Sequence, residues 1–168
     1  MEKEEIAKKI SDWTLESNSM LPKSPDEILK YLMEGKGVLV LNQEGEIAGF
    51  GAVTFNWPDN WKELGAVIVD PGKREHGFGH KVVKELIATA KEIFPDSKLF
   101  ALCNDKSLKI FLDNGAEVIT DSDLLPLEVF GECVHCPKFI EAKNQGKICC
   151  DTPVTIKETK SEVGGCYR

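Results

Sequence analysis

The chain has 168 residues, 42% hydrophobic and 29% charged, an ordinary globular composition long enough to bury a core of its own. Its 28 acidic and 21 basic side chains leave a net charge of −7, which argues against a nucleic-acid footprint. No apolar run approaches the roughly 18 residues of a membrane span, and residues 1–10 lack the apolar stretch of a signal peptide. No membrane association is expected, and the cytoplasm is the expected compartment.

In chain order, Ile6, Ile10, Trp13 and Ser17 recur at helical spacing and predict a first helix over 3–19. Leu21-Pro22-Lys23 breaks it. Ser24 can then cap a second helix, Pro25 suits its first position, and Asp26 and Glu27 suit the positive end of its dipole. That helix runs to about residue 35. Strands over 37–42 and 47–55 form a hairpin turning at Glu44-Gly45, and Gly49 and Gly51 in the second point to a bulge or a close backbone approach. Residues 64–69 are continuously apolar, the pattern of a central strand covered on both faces. A glycine-rich loop over 70–79 precedes a helix over 80–94 with Val83, Leu86, Ile87 and Ala90 on one face. A strand over 98–103, a short helix over 107–114 closed by Gly115, a strand over 117–120 and a last strand over 153–157 complete the pattern. With no repeat and no linker, the expected fold is one α/β domain over 1–158, a mixed sheet with helices on both faces. A cysteine-rich excursion over 131–151 comes before the last strand, and 159–168 form a polar tail.

The most informative stretch is Val67-Ile68-Val69-Asp70-Pro71, then Arg74-Glu75-His76-Gly77-Phe78-Gly79-His80 leading into a helix. The order strand, glycine-rich turn, helix N-terminus makes an anion site, because the first-turn N–H groups have no intrahelical partner and the dipole is positive there. Gly77 and Gly79 let the backbone close on a phosphate, and Arg74 can add a charged fork. A turn whose glycines serve sterics alone carries the same spacing. No Gly-Lys-Ser/Thr follows, which excludes a Walker loop, and the missing third glycine excludes a dinucleotide fingerprint.

Arg74-x-x-Gly77-x-Gly79 after a strand ending in Val69-Asp70-Pro71 resembles the acetyl-CoA pyrophosphate loop of the GNAT N-acetyltransferases. Leu102-Cys103-Asn104-Asp105-Lys106-Ser107, with Ile110, Phe111 and Gly115, resembles that family's second cofactor motif, and the likeness covers about residues 3–158. The resemblance implies a mostly antiparallel sheet in which strand 64–69 splays from strand 98–103. It implies that backbone around Val67, Ile68 and Val69 holds the pantetheine arm and that main-chain N–H groups from Arg74 to His80 hold the pyrophosphate. Asn104 and Ser107 would meet the pantetheine from the other side. The implied reaction is direct attack of a small amine on acetyl-CoA, without a covalent enzyme intermediate. A GNAT-shaped CoA-binding sensor without turnover is the competing reading.

Met20-Leu21-Pro22-Lys23-Ser24, Glu63-Leu64-x-x-Val67-x-Val69-Asp70-Pro71 and Leu125-Pro126-x-Glu128-Val129-Phe130 resemble the acetyltransferase domain of N-acetylglutamate synthases. The acceptor this implies is the α-amino group of an amino acid such as glutamate, with another amino acid or small amine as the alternative. Lys23 would meet the substrate carboxylate, although that family commonly has Arg there, and the two cations are not interchangeable at a carboxylate. Glu63, at the head of its strand, is the candidate general base for an amine that arrives as ammonium. An ordinary acid at a solvated strand end is the plain alternative. Phe111 stands where many relatives carry a tyrosine acid, and it has no proton to give. Either the thiolate leaves unaided or Cys103 or Ser107 assists.

Cys133, Cys136, Cys149 and Cys150 crowd into eighteen residues, and similar cysteines occur at the end of many such domains. Their spacing suits a structural Zn²⁺ site, reduced buried thiols, or a redox pair at Cys133/Cys136. A homodimer is compatible with the sequence.

Overall fold

The computed structural model describes residues 2–17, 19–120, 125–126, 128–129, 131, 144 and 152–157. Cys133, Cys136, Cys149 and Cys150 lie outside the described residues, with most of 131–151 and all of 159–168. The described elements are α1 (Lys3–Glu16), α2 (Pro25–Met33), β1 (Gly37–Leu41), β2 (Ile47–Trp57), β3 (Trp61–Val69), α3 (Phe78–Ile93), β4 (Lys98–Cys103), α4 (Asp105–Asp113), β5 (Ala116–Val118) and β6 (Thr152–Ile156). Their six-stranded sheet has the order β1-β2-β3-β4-β6-β5, with every pair antiparallel except β3–β4. This is the mixed, mostly antiparallel sheet that the sequence predicts.

Two layers of helix cover the sheet. On one face, Val82, Val83, Leu86, Ile87 and Ala90 of α3 and Phe111 of α4 pack on Val38, Val40, Val53, Leu64 and Leu99. On the other, Ala7, Ile10 and Trp13 of α1 and Ile28 and Tyr31 of α2 pack on Ile47, Phe50, Ala52 and Ile68. The glycines of β2 act in both of the expected ways. The β2–β3 register shifts between Phe50 and Ala52, and a Cβ on Gly49 would come within 2.5 Å of Val82 Cγ2. Side-chain-free backbone is what lets α3 seat this close.

Several boundaries move for identifiable reasons. Ser24 caps α2 in a full capping box with Glu27, as expected, and α2 ends at Met33 ahead of Gly35, which takes φ +69°. β2 runs on to Trp57 and β3 begins at Trp61, because Asp59 and Asn60 adopt left-handed turn backbone at φ 58° and 61°. Asn60 is held there as its side chain donates to Asp96 O at 2.7 Å and accepts from Ser97 Oγ. Glu63 therefore stands third in β3 rather than at its head. The expectation that 64–69 is covered on both faces is corrected: Gly65, Ala66, Val67 and Val69 are only half-buried. Their apolar run borders an opening.

Candidate functional site

Parallel pairing between β3 and β4 is confined to Trp61–Lys98, Lys62–Leu99 and Glu63–Phe100. Beyond it β3 continues to Val69 and β4 to Cys103 with no further pair, so the sheet opens as a wedge. Across from the opening, Phe50↔Ile68 and Ala52↔Gly65 enclose one residue of β2 but two of β3, a bulge that puts Ala66 at φ 51°. A left-handed alanine is strained, and this one sits on the wall of a cavity. That cavity measures about 300 Å³. Its walls are Glu63 to Val67 and Val69 of β3, Met20, Leu21 and Lys23 before α2, Thr54 and Phe55 of β2, Gly79 of α3, and Asn104, Ser107 and Phe111 at α4.

The loop beyond β3 is organised by Asp70. Its Oδ1 accepts from Gly72 N at 2.9 Å and its Oδ2 from Lys73 Nζ at 3.0 Å, and Lys73 also reaches Glu46 at 3.3 Å. Burial raises the Asp70 carboxyl, but the Lys73 and Gly72 hydrogen bonds outweigh it and hold it below its ordinary range. With Lys73 so engaged, Arg74 is the exposed cation of the loop. Glu75 at φ 68° and Gly77 at φ 78° turn the chain into α3, and Gly77 caps the helix without a side chain. First-turn N–H groups are thus left for an anion. A Cβ on Gly79 would meet Ile110 Cδ1 at 3.0 Å, so the glycine keeps this turn against α4.

At the other end lie the two candidate polar side chains. Lys23 is held by its backbone: Thr14 Oγ1 accepts from Lys23 N at 2.9 Å, and Ser11 Oγ donates to Lys23 O at 2.7 Å. Its side chain is buried, with Nζ 3.6 Å from Glu27 Oε1 and 5.5 Å from the Phe55 ring centre. Glu63 Oε2 accepts a hydrogen bond from Trp57 Nε1 at 2.8 Å. Trp57 stacks obliquely on Phe55, with centroids 5.4 Å apart.

On the α4 wall, Asn104 and Ser107 form a reciprocal capping box. Asn104 Oδ1 accepts from Lys106 N and Ser107 N, and Ser107 Oγ accepts from Asn104 N at 3.0 Å. Asn104 Nδ2 donates to Ser19 O, tying α4 to the segment before Lys23. Phe111 is buried against both cavity and core. Cys103 has no exposed surface, and burial pushes its thiol up to about 11.

Of the residues singled out from sequence, Lys23, Glu63, Val67, Val69, Gly79, Asn104 and Ser107 meet at this one cavity. Ile68 faces the α1–α2 core instead, as strand alternation requires. Arg74, Glu75, His76 and Gly77 lie on the exposed loop, Phe78 packs toward the α3 core, and His80 Nε2 pairs with Asp113 Oδ2 at 2.9 Å. Sequence reasoning missed Thr54, Phe55 and Trp57. Phe55 and Trp57 are two residues apart on a strand, and carrying β2 past Phe55 would have brought them to Glu63. No group of three or more His, Cys, Asp or Glu able to hold a metal occurs among the described residues. No helix among them is long and apolar enough to cross a membrane.

A mixed sheet parted between two parallel strands, with a helix N-terminus that no side chain caps beside the gap, defines a recognisable class of protein. Residues 7–115 match the acetyltransferase (GNAT) family, and the chain belongs to it. Among solved structures it is similar to Rv2747 from Mycobacterium tuberculosis in complex with CoA and NLQ, at 19% identity and a TM-score of 0.64, covering 91% of this chain and 94% of that one. It is similar to N-acetylglutamate synthase from Neisseria gonorrhoeae complexed with coenzyme A and N-acetyl-glutamate, at 19% identity and a TM-score of 0.57, covering 88% of this chain and 31% of that one. It is also similar to yncA from Salmonella typhimurium with its cofactor acetyl-CoA, at 17% identity and a TM-score of 0.56, covering 71% and 78%. At these identities the likeness is one of fold. Over 43 residues, 26% of this chain, it is 37% identical to the UPF0039 protein C11D3.02c of Schizosaccharomyces pombe, and that match spans 29% of the curated relative's length.

Proposed function

We propose that the chain is an acetyl-CoA-dependent N-acetyltransferase acting on a small amine that carries a carboxylate, the α-amino group of an amino acid such as glutamate. The observation that carries this reading is that Lys23 and Glu63, a cation and a carboxylate, line the same cavity as the unpaired stretch of β3. The chain's residues fit the cosubstrate: Gly77 faces open space, the α3 first turn has no capping side chain, and a Cβ on Gly79 would crowd Ile110 Cδ1 at 3.0 Å. Backbone N–H groups of 74–80 would hold the pyrophosphate, and β3 backbone at Val67 and Val69 would hold the pantetheine as an added strand. Asn104 and Ser107 commit their hydrogen bonds to capping α4, so they would wall the arm rather than bind it strongly. The similar Neisseria synthase structure, with coenzyme A and N-acetyl-glutamate, is consistent with this substrate class.

Bound acetyl-CoA supplies the activated thioester carbonyl. Glu63 takes the proton that the arriving ammonium must lose before its nitrogen can bond to carbon. Lys23 pairs with the substrate carboxylate, and its seat beside Phe55 keeps that pair partly shielded from water. Phe111 offers no proton and Cys103 is sealed behind the α4 start, so the sulfur leaves as thiolate or with help from Ser107.

The test is thiol release from acetyl-CoA with a panel of amino acids and plain amines. Turnover should favour acceptors with a carboxylate, and Lys23→Met should raise their KM about tenfold or more while sparing plain amines. Glu63→Gln should lower kcat roughly 10²–10⁴-fold. Tight CoA binding with no turnover on any amine would instead favour a CoA-binding sensor, the reading that Phe111 keeps open.

A further inference from the structure

We infer that Trp57 is a positioning residue that holds Glu63 in the orientation its role requires. The inference rests on Glu63 being the base. Trp57 does not line the cavity, and its Nε1 donates to Glu63 Oε2 at 2.8 Å. The pairing is built in by β-sheet register. Phe55 is the cross-strand partner of Glu63, and the register shift between Val53 and Phe55 inserts Thr54 as an extra residue in β2. Past that bulge Phe55 and Trp57 share a face two residues apart, and the left-handed turn at Asp59 and Asn60 returns the chain so that Trp57 is also opposite Trp61.

The indole is itself held. It stacks on Phe55, with centroids 5.4 Å apart, and packs with the cluster of Trp61, Phe100 and Val129. Phe55 in turn has Lys23 Nζ 5.5 Å from its ring centre. Lys23, Phe55, Trp57 and Glu63 are therefore linked by successive contacts, cation to ring, ring to ring and indole N–H to carboxylate. A glutamate side chain has three torsions that set the place of its carboxylate oxygens. An N–H on a fixed ring restricts that freedom and sets the direction of Oε2, and with it the plane that carries Oε1. Among the described residues, the titratable and charged groups near Glu63 include Lys23 before α2, Lys106 on the α4 wall, the neighbouring Lys62 of β3, whose Nζ lies over the Phe94 ring, and on α2 the Tyr31 phenol, which burial together with Glu27 and Glu63 keeps protonated.

The test is a double-mutant cycle on steady-state kinetics with Glu63→Gln and Trp57→Phe, which keeps an aromatic ring and removes the N–H. If Trp57 acts through Glu63, Trp57→Phe lowers kcat roughly 10–100-fold and leaves the acetyl-CoA KM unchanged. In the Glu63→Gln background the same substitution then costs no more than about twofold. Equal losses in both backgrounds, or an unchanged kcat, would overturn the inference while leaving the base intact. Glu63→Gln losing less than threefold would remove the base itself, and the inference with it. A second measurement avoids any fold defect in the Trp57 variant. The wild-type chain has three tryptophans, so three indole N–H resonances. Glu63→Gln should shift the Trp57 one upfield while leaving those of Trp13 and Trp61 in place, and an unmoved Trp57 resonance would count against the contact.

Discussion

Gly77 and Gly79 sit two residues apart and do different work. Gly77 has φ +78° with open space where a Cβ would point, so Gly77→Ala should cost about 1–2 kcal/mol through backbone strain alone. Gly79 has helical backbone but Ile110 Cδ1 3.0 Å from its missing Cβ, so Gly79→Val should push the α3 start off α4. Calorimetry with CoA alongside urea unfolding separates the two effects. If the 74–80 backbone holds the pyrophosphate, both variants lose affinity beyond what their lost stability explains. Unchanged affinity in both would move the anion site elsewhere. The buried Cys103 and Tyr31 make a further prediction at this scale. Burial raises the Cys103 thiol to about 11, and burial with Glu27, Glu63 and Glu34 raises the Tyr31 phenol to about 12. Both groups are neutral when protonated, and the unfolded chain gives up these protons first, near pH 9 and 10. Over that window the native state binds more protons than the unfolded one, so stability falls as pH rises from about 9 to about 12. Urea midpoints across this range should decline, and Tyr31→Phe should flatten the upper part of the decline.

Helix α2 shows how an element carries a site. Its capping box uses Glu27 Oε2 to accept from Ser24 N at 2.8 Å, while Glu27 Oε1 stands 3.6 Å from Lys23 Nζ. Burial raises the Glu27 carboxyl, but the Ser24 hydrogen bond and the Lys23 charge outweigh it and keep it below its ordinary range. Ser24→Ala should therefore cost about 1 kcal/mol of stability. It should leave the acceptor KM nearly unchanged, because the Ser24 backbone N–H that anchors the Glu27 carboxylate survives the substitution; kinetics and thermal unfolding on one preparation check both. This helix was legible in the sequence because its signal is local: Ser24, Pro25 and Glu27 specify their own positions. The glycine-rich start of α3 was legible for the same reason. The Glu63 end of the cavity was harder. Asp59 and Asn60 concealed a tight turn inside what reads as loop, so β2 ended too early and Trp57 was left out of the site. Residues 64–69 misled in another way. Continuous apolarity ordinarily means cover on both faces, but here part of the cover is left to a cavity, and no periodicity distinguishes the two.

Taken whole, the sheet is two antiparallel ladders, β1–β2–β3 and β4–β6–β5, joined by a parallel seam of three residue pairs. If a pantetheine arm adds to the free edge of β3, hydrogen exchange in CoA should protect amides within 64–69 as well as within 74–80. Protection confined to 74–80 would mean that the arm lies elsewhere. The contact between α3 and the first ladder has a further consequence. Gly49 and Gly51 put bare backbone under Val82 and Leu86, where added Cβ atoms would fall 2.5 and 2.9 Å from Val82. The height at which a 16-residue rod rides over the sheet is thus gauged on β2, by two positions that touch no ligand site. A methyl group added at either would work as a shim under a lever, lifting one end of the rod and swinging the 74–80 loop relative to the bulge at Ala66. If the 74–80 backbone holds the pyrophosphate, its grip would in this way be retuned from a neighbouring strand, with every residue of the loop unchanged.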